Sequence, residues 1–241
     1  MLTAAKLALG PLLLKQAGAL RRTALRLPEA GGAREGLVGE GEAGLRLLVV
    51  GDSSAAGVGV QHQSQALALP LARLMAQELR VPVAWQLVAE TGLNTAGARA
   101  LLARSRLAPA DVVVTALGVN DVTAQLSAGA FITHTSQLWS DLRQRTGARW
   151  AVLSGLPPMH RLSAVPQPLR WYLGRYAAGF DAALSEWARR QELGYCGLRW
   201  TDDPALLAPD GFHPGPALYP QWARQLADRI IAGQRRWAVP R

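Results

Sequence analysis

Three residues drawn from two ends of the chain have the types needed to move a proton and attack a carbonyl. Ser53 ends the run Gly51-Asp52-Ser53 behind an apolar stretch, and Asp210 and His213 belong to Asp210-Gly211-Phe212-His213-Pro214 near the C-terminus. A serine hydroxyl is a weak nucleophile until a base takes its proton in the transition state. A neutral imidazole is suited to taking and returning that proton near neutral pH. A carboxylate three residues before the histidine can reach the other ring nitrogen, fix the tautomer and stabilise the imidazolium. A serine after a strand, taken alone, is more often a helix cap than a nucleophile.

Attack on a carbonyl creates an oxyanion, which needs donors already in place. The backbone N–H of Ser53 is one candidate, at a turn predicted to open a helix whose N-terminus would reinforce it. Gly92 offers a second N–H, because a residue without a side chain lets the backbone approach closely; Gly97 competes for that place. Asn120, in Gly118-Val119-Asn120-Asp121, offers a side-chain amide. Asp52 and Asp121 read as structural hydrogen-bonding groups. Gly57-Val58-Gly59 is half of a dinucleotide fingerprint and lacks the third glycine. His62, His134 and His160 show no metal-ligand spacing, and there is no Gly-x-Ser-x-Gly elbow.

These residues must be held by a scaffold. Five short apolar runs, at 45–50, 83–89, 111–117, 150–154 and 195–200, alternate with helical spacing at 66–79, 95–104, 122–145, 169–192 and 216–231. Runs that are apolar on both faces, alternating with helices, predict βαβ units and a parallel sheet between helical layers. Right-handed crossovers bring the C-terminal ends of all strands to one edge, where ligands bind. Ser53, Gly92 and Asn120 follow runs one, two and three, and Asp210 and His213 lie beyond run five. The expected fold therefore gathers them on one rim.

With its blocks Gly51-Asp52-Ser53-Ser54, Gly92, Gly118-Val119-Asn120-Asp121 and Asp210 to His213, the chain resembles the SGNH/GDSL hydrolases over roughly residues 45 to 232. Ser54 departs from the Leu usual at the fourth place of the first block. The resemblance implies a flavodoxin-like three-layer α/β/α sandwich, here with a five-stranded parallel sheet, and esterase, lipase, thioesterase or arylesterase activity without a metal or other cofactor. It also implies Ser53 as nucleophile, His213 as base, Asp210 as its orienting carboxylate, and Ser53, Gly92 and Asn120 as the oxyanion hole. A thioesterase, lysophospholipase or acyltransferase would use the same residues, and a binding module that had lost catalysis would share the fold.

The long Pro-rich stretch after run four, 155–168, and the helix it enters suggest that Met159, Leu162, Val165 and Trp171 wall an acyl or aryl pocket, or else cover the sheet edge. Such a pocket would take a small hydrophobic ester or a lysolipid. The formal charge of +9 comes from arginines scattered along the chain rather than gathered on one element, and no nucleic-acid module accompanies them. A basic surface leaves weak association with anionic lipid headgroups as a further expectation.

The single cysteine, Cys196, excludes an intrachain disulfide and reads as a buried thiol. It fits a reducing compartment, which makes the cytoplasm the first expectation, with export or membrane association as alternatives. Residues 1–20 loosely imitate a signal peptide, but Pro11 and Lys15 interrupt an apolar run too short for the roughly 20 residues of a membrane span. An amphipathic segment lying on the domain or on a membrane surface is expected there. The Gly- and Glu-rich stretch 28–44 reads as a linker, leaving 45–241 as the hydrolase-like domain.

Overall fold

The computed structural model describes residues 2–198 and 204–237. Along the chain run α1 (Leu2–Thr23), β1 (Glu35–Val38), β2 (Leu45–Gly51), α2 (Ala68–Leu79), β3 (Val83–Ala89), α3 (Thr95–Arg104) and β4 (Val112–Ala116). They are followed by α4 (Val119–Thr123), α5 (Ala128–Thr146), β5 (Trp150–Ser154), α6 (Leu169–Arg190), β6 (Gly194–Cys196), α7 (Leu218–Ala232) and α8 (Gln234–Trp237). The five strands from β2 onward pair in parallel in the order β3-β2-β4-β5-β6. Their crossover connections carry helices, as parallel pairing requires.

The sheet has six strands, not the five expected. The sixth is β1, which pairs antiparallel with β3 in the register Glu35↔Gln86 to Val38↔Val83. It lies inside the stretch expected to be a linker. Its four residues are mostly exposed, so no alternation of apolar and polar residues marks it; the free edge of β3 supplies its structure. The last expected run is also shorter, ending at Cys196, and its residues 199–200 lie outside those described.

Successive residues of β2 point to opposite faces and build two cores. Leu45, Leu47 and Val49 join Leu71, Met75 and Tyr219 on the side of α2 and α7, while Leu48 and Val50 join Leu102, Phe131 and Phe180 on the side of α3, α5 and α6. Full burial of each such side chain contributes about 1.5–3 kcal/mol. The three layers follow from these two apolar faces.

One expected helix, 122–145, divides into α4 and α5. Gln125 turns left-handed at φ 60°, and the Ser127 hydroxyl accepts the Ala130 N–H, which caps a new helix. α7 begins two residues later than Pro216 suggested. At the N-terminus, α1 lies on the domain: Leu13 is buried, and Gln16 bonds the Gln167 carbonyl and the Leu169 N–H at 2.6 and 3.1 Å. No helix among the described residues is long and apolar enough to cross a membrane.

Candidate active site

Strand β2 ends at Gly51 and turns abruptly, because its neighbour leaves no room for a side chain. A Cβ on Gly51 would sit 2.8 Å from the Ala116 carbonyl of β4. The chain then winds through consecutive turns, with Ala56 N–H bonding Asp52 O at 2.9 Å and Val58 N–H bonding Ser53 O at 3.0 Å. The α-helix expected directly after Ser53 does not form. Gly57 and Gly59, at φ 88° and 103°, break the helical path, and α2 starts only at Ala68. The stabilisation expected from a helix N-terminus at Ser53 is therefore absent, and close-packed turns hold the residue instead.

Two contacts fix those turns from α7 and from the C-terminal loop. The buried Tyr219 hydroxyl lies 2.9 Å from Ser54 O and 2.7 Å from Val58 O. A Cβ on Gly59 would meet the Pro214 carbonyl at 2.1 Å, next to His213. We expect Gly59→Ala to cost about 2–4 kcal/mol, the sum of left-handed strain and overpacking, and to lower turnover with it. Urea unfolding measures the first effect; a variant as stable as the parent would contradict the packing argument.

His213 reaches Ser53 across 160 residues, with Nε2 2.9 Å from Oγ. On its other side Nδ1 lies 2.5 Å from Asp210 Oδ2. Asp210 Oδ1 accepts the backbone N–H groups of Phe212 and His213, each at 3.0 Å. Burial alone would push the Asp210 carboxyl up, but bonds from the His213 ring and from these two backbone groups outweigh it and hold the pKa below the usual carboxylate range. Gly211, at φ 64°, makes this tight turn possible.

Asn120 stands just inside α4, whose entry Gly118 takes φ 124°. Its amide Nδ2 donates to the Leu93 carbonyl at 2.9 Å and makes a long 3.4 Å contact with Asp52 Oδ2. Asp52 also accepts the Ser54 N–H at 3.0 Å, and burial pushes its pKa up to about 6. Asp121, fully buried, receives the N–H and hydroxyl of Thr95, each at 3.0 Å to Oδ2. That pair ties the start of α3 to α4. Among the described residues, no protein acceptor takes the backbone N–H of Ser53 or Gly92.

A set of supporting residues was not apparent in the sequence. Glu29 Oε1 accepts both the N–H and the hydroxyl of Thr91, at 2.6 and 2.7 Å, immediately before Gly92. Arg34 binds Glu29 and donates to the Ala89 carbonyl at 2.7 Å. Burial pushes the Glu29 carboxyl up, but the bonds from Thr91 and Arg34 leave it lowered overall. The supposed linker thus clamps the loop that carries Gly92.

The four expected pocket residues are placed otherwise. Met159, Leu162 and Val165 are buried in the core on the α6 side, and Trp171 is exposed on the outside. None of them lines the groove of about 760 Å³ that opens beside Gly92 and Asn120. Their loop supports the histidine turn instead: Ala164 N–H donates to Gly211 O at 3.3 Å. The groove is bounded by Leu169, Tyr172 and Leu173 of α6, by the α4–α5 connection and by α1.

A three-layer α/β sandwich with a serine, a histidine and an aspartate joined at its rim defines a hydrolase-like protein. The chain belongs to the GDSL-like Lipase/Acylhydrolase family, whose sequence profile matches residues 49–221. Its fold is similar to that of the psychrotrophic esterase EstA from a Pseudoalteromonas species, at 19% identity and TM-score 0.57 over 79% of this chain and 98% of that one. The lipase Lip_vut3 from a goat rumen metagenome is similar at 18% identity and TM-score 0.60, over 77% and 97% of the two chains. A lipase/acylhydrolase from Enterococcus faecalis is similar at 17% identity and TM-score 0.57, over 82% and 100%. No curated protein matches the chain by sequence.

Proposed function

We propose that this hydrolase cleaves carboxylic esters through an acyl-enzyme formed on Ser53. The observation that carries the reading is the continuous relay Ser53 Oγ–His213–Asp210, at 2.9 and 2.5 Å. His213 Nε2 takes the hydroxyl proton as Oγ bonds to the ester carbonyl carbon. The tetrahedral intermediate collapses, and His213 returns the proton to the departing alkoxide, which leaves as the alcohol. A water molecule then repeats the sequence on the acyl-enzyme, releasing the acid and regenerating Ser53.

The oxyanion would be met by the Ser53 and Gly92 N–H groups and by the Asn120 amide. The unbonded state of both backbone groups supports their part. For Asn120, one amide hydrogen is committed to Leu93, and the other makes only the long contact with Asp52, which a stronger acceptor can replace. Asn120→Ala is expected to lower kcat by about 10²–10³-fold, as loss of one such donor does, with KM little changed. A raised KM at unchanged kcat would assign Asn120 to ground-state binding instead.

The direct test is labelling by a fluorophosphonate, read together with hydrolysis of p-nitrophenyl esters. Stoichiometric labelling that maps to Ser53, with esterase turnover, supports the reading. Folded protein that neither labels nor hydrolyses any ester of the series would overturn it.

A further inference from the structure

α1 lies outside the stretch that the family profile matches, residues 49–221, yet it forms one wall of the groove beside Gly92 and Asn120. Its apolar contribution is Leu7, Gly10, Leu13, Leu14, Ala17 and Leu20, with Lys6 and Arg21 lining the groove at the two ends of that stretch. These positions fall on one face of a helix. The face is anchored by the buried Leu13 and by the two bonds of Gln16 to the start of α6. At about 1.5 Å per residue the stripe runs for roughly 20 Å, a length suited to an extended hydrocarbon chain.

Two features say what the groove accepts. Leu7 and Leu14 on this wall are 78% and 74% exposed, so apolar surface is left facing water along the groove. Between them Gly10 borders open space: a Cβ there would meet nothing within 4 Å. The facing wall of Leu169, Tyr172 and Leu173 is apolar as well. The volume of about 760 Å³ lies within the roughly 300–1,000 Å³ of small-molecule sites. Because the groove is continuous with Gly92 and Asn120, a chain lying in it would have its carbonyl end beside the proposed oxyanion donors.

We infer that α1 and α6 form an acyl-chain site and that the substrates are esters of long-chain fatty acids. This rests on the esterase reading above. Burial of Leu7 and Leu14 by the chain supplies the binding energy, and α1 sets the preference for length.

Gly10→Leu in the full-length chain fills the groove with a residue that helices favour over glycine. The ratio of kcat/KM for p-nitrophenyl laurate to that for p-nitrophenyl acetate is expected to fall by about tenfold or more, the scale of hydrophobic pocket discrimination. Leu14→Ser, at an exposed position, should lower the same ratio in the same direction. A fluorescent dansyl-undecanoate supplies a readout independent of turnover: the parent and Ser53→Ala should bind it, and Gly10→Leu should bind it about tenfold more weakly.

An unchanged ratio and an unchanged probe affinity in both variants would overturn the assignment. So would equal loss on both esters with probe affinity intact. If the unchanged ratio were joined by loss of phosphatidylglycerol vesicle binding in Leu7→Glu, α1 would be a membrane-surface element and the acyl-site assignment would fall. Absence of hydrolysis and of fluorophosphonate labelling, with probe binding that Gly10→Leu weakens, would overturn the esterase reading and support the acyl site.

Discussion

Ser53→Ala and His213→Ala should each lower kcat on p-nitrophenyl butyrate by about 10⁴-fold or more, and the double variant should be no worse than either. The expectation comes from the shared proton. His213 Nε2 lies 2.9 Å from Ser53 Oγ, so the base has no function without the hydroxyl and the hydroxyl no acceptor without the base. Groups that act as a unit lose their joint effect once, not twice. Ser53→Ala removes no packing contact of consequence, since the Ser53 turns are held by backbone bonds and by Tyr219, and its melting temperature should stay close to that of the parent. His213→Ala also takes the ring bond away from Asp210 and should melt lower. A double variant whose loss approaches the product of the two single losses, or a Ser53→Ala protein within about tenfold of the parent, would break the proposed coupling.

The residues of the relay were legible because each lies just beyond a strand or just before the last helix, where a parallel sheet must deliver its connections. The apolar runs marked those strands: β3 and β5 fall where the pattern put them, and α3 likewise. The groove beside Gly92 and Asn120 was not legible. Met159, Leu162 and Val165 are apolar residues on a loop near the rim, and nothing in residue type separates a groove wall from a core position. Their burial is decided by the packing of that loop under the Asp210–His213 turn and against α6, a tertiary fact with no local signal.

The Glu29–Thr91 clamp was hidden for another reason. It joins polar residues 62 positions apart and belongs to no periodic pattern. The missing helix after Ser53 could have been read from Gly57 and Gly59, two glycines in three residues, which favour left-handed turns over helix. In each case the sequence reports what one element needs, while contacts between elements decide the placement.

Asp210→Asn is the second large effect expected, and the geometry prescribes its mechanism. Asp210 Oδ1 accepts two backbone N–H groups, from Phe212 and His213. In asparagine only the carbonyl oxygen can accept both, so the amide must keep its oxygen there and turn its NH₂ toward His213 Nδ1. The NH₂ donates, which leaves Nδ1 as the acceptor and moves the ring proton to Nε2. Nε2 then faces Ser53 with a hydrogen and cannot take the hydroxyl proton. An exchange of this kind costs about 10⁴-fold in turnover.

The pH dependence follows from the same contacts. The folded-state pKa of Asp210 is held low, so its stabilising contribution is present above the ordinary carboxylate pKa and is lost only as pH falls through the lowered value. The Asp210→Asn variant should therefore lose stability relative to the parent at neutral pH, and the gap should close in strong acid. Urea unfolding at both pH values measures it, and nitrogen NMR of the imidazole reports the tautomer. A variant with the proton still on Nδ1, or with turnover within about tenfold of the parent, would show that Asp210 does not hold the ring for proton transfer.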